Sequence, residues 1–333
     1  MKFGPVPLAE AEGAILAHSL KAGARRVAKG TSLTAADLAD LKAAGHHSLT
    51  VARLEPGDLH EDAAALALAR FIVPDMAAQN IRISGAGAGR VNLYAATPGI
   101  VSLDRARLEA VNKVDPMLTI ATVPDFHRVD AEGMIATIKI ISYAVPAAAV
   151  SKAGQGAGGA MRVIAPAVGS ATLIETRVTG DIPSEKGRAA MRGRLERMGV
   201  SLAPRIVVRH SEAELAAAVQ AAKGDLVLVL TGSATSDPMD VAPQALRQAG
   251  GRVERFGMPV DPGNLLFVGA HRGRPVIGLP GCARSPALNG ADWVLERILC
   301  GVEVTSEDIA IMGVGGLLKE IPTRPMPRRE TLP

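Results

Sequence analysis

Apolar and polar positions follow different rhythms on either side of a glycine-rich stretch near the middle of the chain. In the first part, Thr34 precedes Ala35, Ala36 and Asp37, then Leu38 and Leu41. A hydroxyl cap, an early carboxylate and helical apolar spacing predict a helix over about 34–44, stopped by Gly45. Leu49–Leu54 reads as a strand and His60–Val73 as an Ala/Leu-rich helix. The β-branched, alternating stretches Gly99–Leu103, Leu118–Val123 and Met134–Tyr143 predict a β-rich module. Ser151–Ala160, SKAGQGAGGA, holds small residues that bury little surface, and it predicts a linker.

Beyond it, strands and helices alternate. Met161–Ala167, Arg205–Val208, Asp225–Leu230 and Arg274–Leu279 read as strands; Ser184–Met198, Ser211–Ala222, Val241–Ala249 and Ser285–Leu299 read as helices. Ser211 followed by Glu214 has the form of a capping box. The unbroken run DLVLVL suits a strand buried on both faces. This alternation predicts an α/β fold, a mostly parallel sheet with helices on both faces, joined to an N-terminal mixed α+β, β-rich domain. The expected boundaries are 1–150 for the N-terminal domain, 151–160 for the linker, 161–303 for the α/β domain and 304–333 for a C-terminal extension. The end of that extension, Pro322–Pro333, holds four prolines and three arginines and reads as an extended tail.

Composition narrows the function classes. The formal net charge is only +4 and aromatic residues are 2%, which leaves few rings for a base-stacking surface. No nucleic-acid-binding motif appears. Two cysteines, Cys282 and Cys300, are too few for a disulfide framework or a four-thiolate zinc site. No apolar run approaches the roughly 20 residues of a membrane span, and Glu10 and Glu12 interrupt any signal-peptide core. A soluble cytoplasmic protein with neither nucleic acid nor membrane as partner is expected. Gly85, Gly87 and Gly89 precede a β-rich segment instead of a helix, so they do not form a dinucleotide fingerprint and read as a flexible loop. His60-Glu61-Asp62 reads as a solvated helix start.

In open α/β sheets, ligands bind beyond the carboxyl ends of the strands. After Leu230 the loop Thr231–Asp240 opens a helix. Backbone N–H groups and hydroxyls at Thr231, Gly232, Ser233 and Ser236 suit a phosphate there. Asp240 stands where a helix cap or a metal ligand would. After Ile277 comes a second small-residue loop, Gly278-Leu279-Pro280-Gly281-Cys282-Ala283-Arg284-Ser285, in which Arg284 suits an anion and Ser285 a helix cap. Between them Asp261-Pro262-Gly263-Asn264 makes a turn. Each loop also suits an ordinary strand-to-helix connection, and neither fits the P-loop pattern.

These residues carry a family resemblance. Residues 161–300 resemble the molybdopterin-binding domain shared by the molybdotransferases and adenylyltransferases of molybdenum cofactor biosynthesis. The family pattern T-G-G-x-S-x-G-x-x-D is similar to Thr231–Asp240, with Thr231, Gly232 and Asp240 kept. K-P-G-K-P resembles Asp261–Leu265, with Pro262 and Gly263 kept. G-L-P-G-N-P-V-S resembles Gly278–Ser285, with Gly278, Leu279, Pro280, Gly281 and Ser285 kept. Residues 11–58 are more weakly similar to the segment that precedes this domain in molybdotransferases. The chain as a whole resembles the N-terminal module of bacterial proteins that carry a nucleotidyltransferase-like domain after it. Departures are specific. Ser233 and Asp237 replace glycines, Asp261 and Asn264 replace lysines, Cys282 and Ala283 replace Asn-Pro, Glu185 aligns with an aspartate, and His210-Ser211 stand where an acidic pair is common.

The resemblance implies a pterin-phosphate small molecule as ligand, molybdopterin or its adenylylated form. In an enzyme, Asp240 and Glu185 would be catalytic and would hold Mg²⁺ with Asp237 while molybdate replaces the nucleotide. The cofactor-binding set would be Thr231, Gly232, Ser233, Ser236, Pro262, Gly263, Gly278, Leu279, Pro280, Gly281, Arg284 and Ser285. The alternative is a non-catalytic carrier that hands the pterin to a nucleotidyltransferase or a molybdoenzyme partner; a scaffold with a relic site is the third. A homo-oligomer is implied by resemblance alone.

Overall fold

Thr34 and Asp37 satisfy each other's backbone at the head of the helix Ala35–Ala43. The Asp37 N–H donates to Thr34 Oγ1 at 3.3 Å and the Thr34 N–H donates to Asp37 Oδ2 at 3.0 Å. Arg25 reaches the same carboxylate. Together, the Thr34 hydroxyl first, these bonds pull the Asp37 carboxyl down to about 2. Beside this helix, Ser48–Arg53 runs antiparallel between Lys2–Pro7 and Ile15–Leu16. A second antiparallel sheet follows, in the order Leu118–Thr122, Met134–Ile140, Arg90–Ala95, Ile81–Ile83. The helix Glu61–Ile72 lays Ala64, Ala65, Leu68, Ala69 and Ile72 into one core with Val91, Leu93 and Ile138 of that sheet. The helical and alternating patterns of the sequence translate directly into these faces. His60-Glu61-Asp62 is structural. His60 Nδ1 accepts the Asp62 N–H, Asp62 accepts the Gly89 N–H at 2.6 Å, and Glu61 pairs with Lys139. The glycine loop 85–89 is thereby tied at its end.

The computed structural model describes residues 1–318 and divides into two units. One comprises Met1–Thr97 with Val101–Ile164; the other comprises Pro98–Ile100 and the chain from Ala165 onward. The expected linker at 151–160 is not a linker. Ala147–Gly154 is helical, and Ala153, Ala157 and Ala160 are buried in the first unit's core. The small residues serve contact: a Cβ at Gly154 would lie 2.4 Å from the Phe71 ring. Met161–Ile164 also belongs to the first unit, so the division falls after Ile164.

In the second unit, seven strands form one sheet: β1 (Ser170–Arg177), β2 (Ser201–Leu202), β3 (Ile206–Arg209), β4 (Leu226–Leu230), β5 (Arg252–Phe256), β6 (Phe267–His271) and β7 (Arg274–Gly278). Their order is β2-β1-β4-β7-β6-β5, and β3 pairs with β1 further along the edge that holds β2. β2, β3, β1, β4 and β7 are parallel; β6 and β5 close the far edge antiparallel. Four helices pack on it: α1 (Glu185–Glu196), α2 (Glu212–Ala221), α3 (Val241–Gln248) and α4 (Gly290–Leu299). Ile174, Val227, Val229 and Val276 meet α2 and α3 residues in one core. Leu173, Leu226, Leu228 and Ile277 alternate with them, point to the opposite face and are equally buried. α1 covers that second face at Gly187, where a Cβ would lie 2.9 Å from Leu230. The α/β sheet with helices on both faces is as expected.

Three local expectations fail. Ser211 makes no side-chain cap on α2, because Glu214 turns back to accept the Arg209 N–H at 2.9 Å and pairs with the Arg209 guanidinium. Ser285 does not begin the last helix. Gly281–Arg284 is a single 3₁₀ turn, Pro286 disfavours helix at Ser285, and α4 starts at a capping box formed by Asn289 and Asp292. Strand β1 is absent from the sequence pattern, because Glu175 and Thr176 interrupt its apolar run although both are buried. In the C-terminal extension, Ser306–Ala310 is helical under a Thr305–Asp308 capping box, and Asp261 bridges to Leu317. The expected tail Pro322–Pro333 lies outside the described residues.

Candidate functional site

The two small-residue loops emerge side by side. β4 and β7 are parallel neighbours with Val229 opposite Gly278, and the Leu279 N–H donates to the Val229 carbonyl at 2.8 Å. The Arg284 guanidinium spans from the second loop to the Thr231 carbonyl of the first. Gly232 anchors the first loop to β1: its N–H donates to Thr176 Oγ1 at 2.8 Å. The third turn joins them through α4, where the Pro262 carbonyl accepts the Gly290 N–H at 2.8 Å after a cis Asp261–Pro262 bond.

The motif glycines fit this interlocking. A Cβ at Gly232 would meet the Thr176 carbonyl at 2.7 Å, one at Gly263 the Gly290 nitrogen at 2.8 Å, and one at Gly278 the Phe267 ring at 1.9 Å. The sequence suggests that these glycines let a ligand approach the backbone. At these three positions the close neighbours are protein atoms. Of the predicted ligand residues, Thr231, Gly263, Gly278, Leu279 and Pro280 are buried; Pro262, Asp240, Arg284 and Ser285 are half-buried; Gly232, Ser233, Ser236, Asp237 and Gly281 are exposed. The Thr231 hydroxyl lies 3.3 Å from the Thr235 hydroxyl, inside the loop. The space left among Glu175, Thr176, Gly187, Leu230 and Arg284 is about 40 Å³, room for a water or two. A ligand at these loops therefore lies over their exposed rim.

The expected Mg²⁺ ligands do not converge. Glu185, at the head of α1, pairs with Arg205. Asp240 accepts the Val241 N–H at 2.7 Å and the Ser236 N–H at 3.1 Å, as a loop and helix cap. Asp237 accepts the Met239 N–H at 2.7 Å. Among the described residues no three His, Cys, Asp or Glu side chains stand together as a metal site. The donor set present does not fit the divalent cation that the resemblance implies, which needs several oxygen ligands around one point.

Side chains that carry no motif in the sequence organise the site. Arg194 of α1, 4% exposed, pairs with buried Asp292 and donates to the carbonyls of Ala283 at 3.0 Å, Ser285 at 2.8 Å and Ala287 at 3.0 Å. One buried guanidinium thus shapes the loop ahead of α4. Arg205 bridges buried Glu175 at 2.8 Å to Glu185, and the Glu175 hydrogen bond raises the pKa of its guanidinium. Thr176 Oγ1, fully buried, lies 2.9 Å from His210 Nδ1 while it holds the Gly232 N–H. Beside Gly232, a cavity of about 540 Å³ opens past the ends of β1 and β3, lined by Arg177, Val178, Thr179, Gly180, Arg209, His210 and Ser211. The sequence signal for it is the replacement of an acidic pair by His210-Ser211. That signal is visible, but β1 opposite it is not.

A mostly parallel α/β sheet with glycine-lined strand-end loops and an adjoining cavity defines a small-molecule-binding class of unit. Residues 167–299 match the family described as "Probable molybdopterin binding domain". Residues 5–53 match a "Domain of unknown function (DUF8806)". No curated protein matches the chain. Among solved structures, it is similar to a molybdopterin biosynthesis MoeA protein from Pyrococcus horikosii (14% identity, 90% of this chain and 75% of that one, TM-score 0.31). It is also similar to the protein CinA, of unknown function, from Thermoplasma acidophilum (19% identity, 35% of this chain and 90% of that one, TM-score 0.25). No helix among the described residues is long and apolar enough to cross a membrane.

Proposed function

We propose that the second unit binds a phosphate-bearing pterin of the molybdopterin type and serves molybdenum cofactor biosynthesis as a carrier, passing the ligand on unchanged. The family match over 167–299 carries this reading, because it spans both strand-end loops and the cavity beside them. The exposed Gly232–Ala234 backbone and the Ser233 and Ser236 hydroxyls offer hydrogen-bond donors to the polar edge of such a ligand at the loop rim. Arg284 fixes the spacing of the two loops and adds positive charge.

Mg²⁺-dependent exchange of molybdate for a nucleotide on adenylylated molybdopterin is the enzymatic alternative. It asks Asp240, Asp237 and Glu185 to hold a metal, and those carboxylates are engaged elsewhere. A phosphoanhydride leaving group needs charge neutralisation above all, and the three carboxylates offer the cation no common point from which to supply it. A nucleotidyltransferase or a molybdoenzyme is the partner this role calls for, and a homo-oligomer accords with the resemblance.

The test is to titrate the full-length chain into molybdopterin and into its adenylylated form, with EDTA and with Mg²⁺, following pterin fluorescence and AMP release. The carrier role predicts binding that EDTA leaves intact and no AMP release. Turnover that requires Mg²⁺ would replace the carrier with the enzyme.

A further inference from the structure

The cavity past β1 and β3 has a chemistry that its family position does not foreshadow. Its wall carries Arg177, Arg209 and His210, with the Thr179 and Ser211 hydroxyls between them. At about 540 Å³ it is the size of a small-ligand site. Arg177 uses Nη1 on the Gly180 carbonyl at 2.6 Å and Arg209 uses Nε on Glu214. A guanidinium has five N–H donors, so most of each fork remains.

The His210 ring is held against Thr176. The Thr176 hydroxyl oxygen accepts the Gly232 N–H and lies 2.9 Å from His210 Nδ1. With the hydroxyl proton turned to Nδ1, the neutral ring carries its own proton on Nε2. The donor edge turns away from buried Thr176, on a residue that lines the cavity. The head of α2 follows at once, Ser211 being its N-cap without a side-chain cap bond. Glu214 is the opposing charge: it sits against Arg209 and feels the field of Arg177. Asp181 is the other carboxylate close in sequence, its N–H on Thr179 Oγ1.

We infer that this cavity is an anion subsite that takes a phosphate or diphosphate group through Arg177, Arg209 and His210 Nε2–H, with Thr176 as the positioning residue that links it to the Gly232 loop. Planar guanidinium forks match phosphate oxygens bidentately. Resting on the proposed function, this places the phosphate end of the pterin ligand, or the diphosphate of its adenylylated form, past β1 and β3, with the ring system toward the Gly232 rim.

Inorganic phosphate and pyrophosphate separate the two sources, and calorimetry on the full chain at low salt is the measurement. Pyrophosphate binding is expected, weakening as salt rises. Arg177→Met should lower its affinity about tenfold or more, the loss expected for a charged hydrogen bond. His210→Phe should lower it as well, whereas His210→Asn, which keeps an acceptor for Thr176 and a donor for the cavity, should restore part. Glu214→Gln should tighten binding by up to roughly fivefold, since it removes the competing carboxylate. A gain of that kind cannot come from unfolding. Tighter binding of phosphate than of pyrophosphate points to the pterin's own phosphate; the reverse points to the adenylylated form. If the wild-type chain ignores both anions yet binds fluorescent pterin, the subsite is wrong and the proposed function stands. Equal binding by wild type and all four variants also overturns the subsite. Loss of pterin binding by the wild type overturns the function itself.

Discussion

Gly278 has no room for a methyl group, since a Cβ there would lie 1.9 Å from the Phe267 ring on the neighbouring strand. Gly193 in α1 has nothing within 4 Å of the same position. Gly278→Ala should therefore destabilise the second unit by about 1–3 kcal/mol through overpacking. Gly193→Ala should stabilise it by roughly 0.5–1 kcal/mol through helix propensity. Chemical denaturation of both variants checks the opposite signs. In the first unit, Asp37 sets an acid limit. Its carboxyl titrates at about 2 when folded, below the ordinary 3.8. A depressed carboxyl contributes stability that is complete above pH 3.8 and is lost as pH falls toward about 2. Asp37→Asn should flatten the stability profile in that window, measured by urea denaturation across pH. At this scale the sequence was partly legible. The Thr34 cap and the early Asp37 carboxylate were visible as local spacing, though not their mutual bonding. The meaning of the glycines was not, because Phe267 and Gly278 meet only once β6 and β7 pair.

Among the elements, α1 carries the residue on which the loop ahead of α4 depends. Arg194 ties three loop carbonyls and Asp292, and Asp292 in turn accepts the Asn289 N–H at 2.8 Å. Arg194→Met would leave Asp292 as a buried, uncompensated charge, and should cost about 3–5 kcal/mol. Thermal unfolding followed with pterin affinity would show both falling together. Helices and strands with clean periodicity were legible: the apolar part of DLVLVL, Leu226–Leu230, became β4, buried at every position. β1 was not, because the strand buries Glu175 against Arg205 from 30 residues away, and single-chain periodicity cannot foresee that partner. The same holds for Ser151–Ala160, where small residues signalled freedom and in fact fit under Phe71.

For the whole molecule, the strand-helix alternation identified the second unit's architecture, and the three turns in family order marked its candidate ligand edge. The charge of that edge was legible only in part. The missing lysines at Asp261 and Asn264 were plain in the sequence, whereas the arginines that line the cavity, Arg177 and Arg209, come together only through the β1–β3 register. The central claim is that this unit holds a molybdopterin-type pterin without a metal. The direct measurement is to express the full chain in a host that makes the molybdenum cofactor, purify it in EDTA, oxidise the bound material and record pterin fluorescence. A carrier of this kind should yield a fluorescent pterin that rises in proportion to protein and falls in Arg284→Met. Protein that folds, survives purification and carries no pterin would contradict the claim.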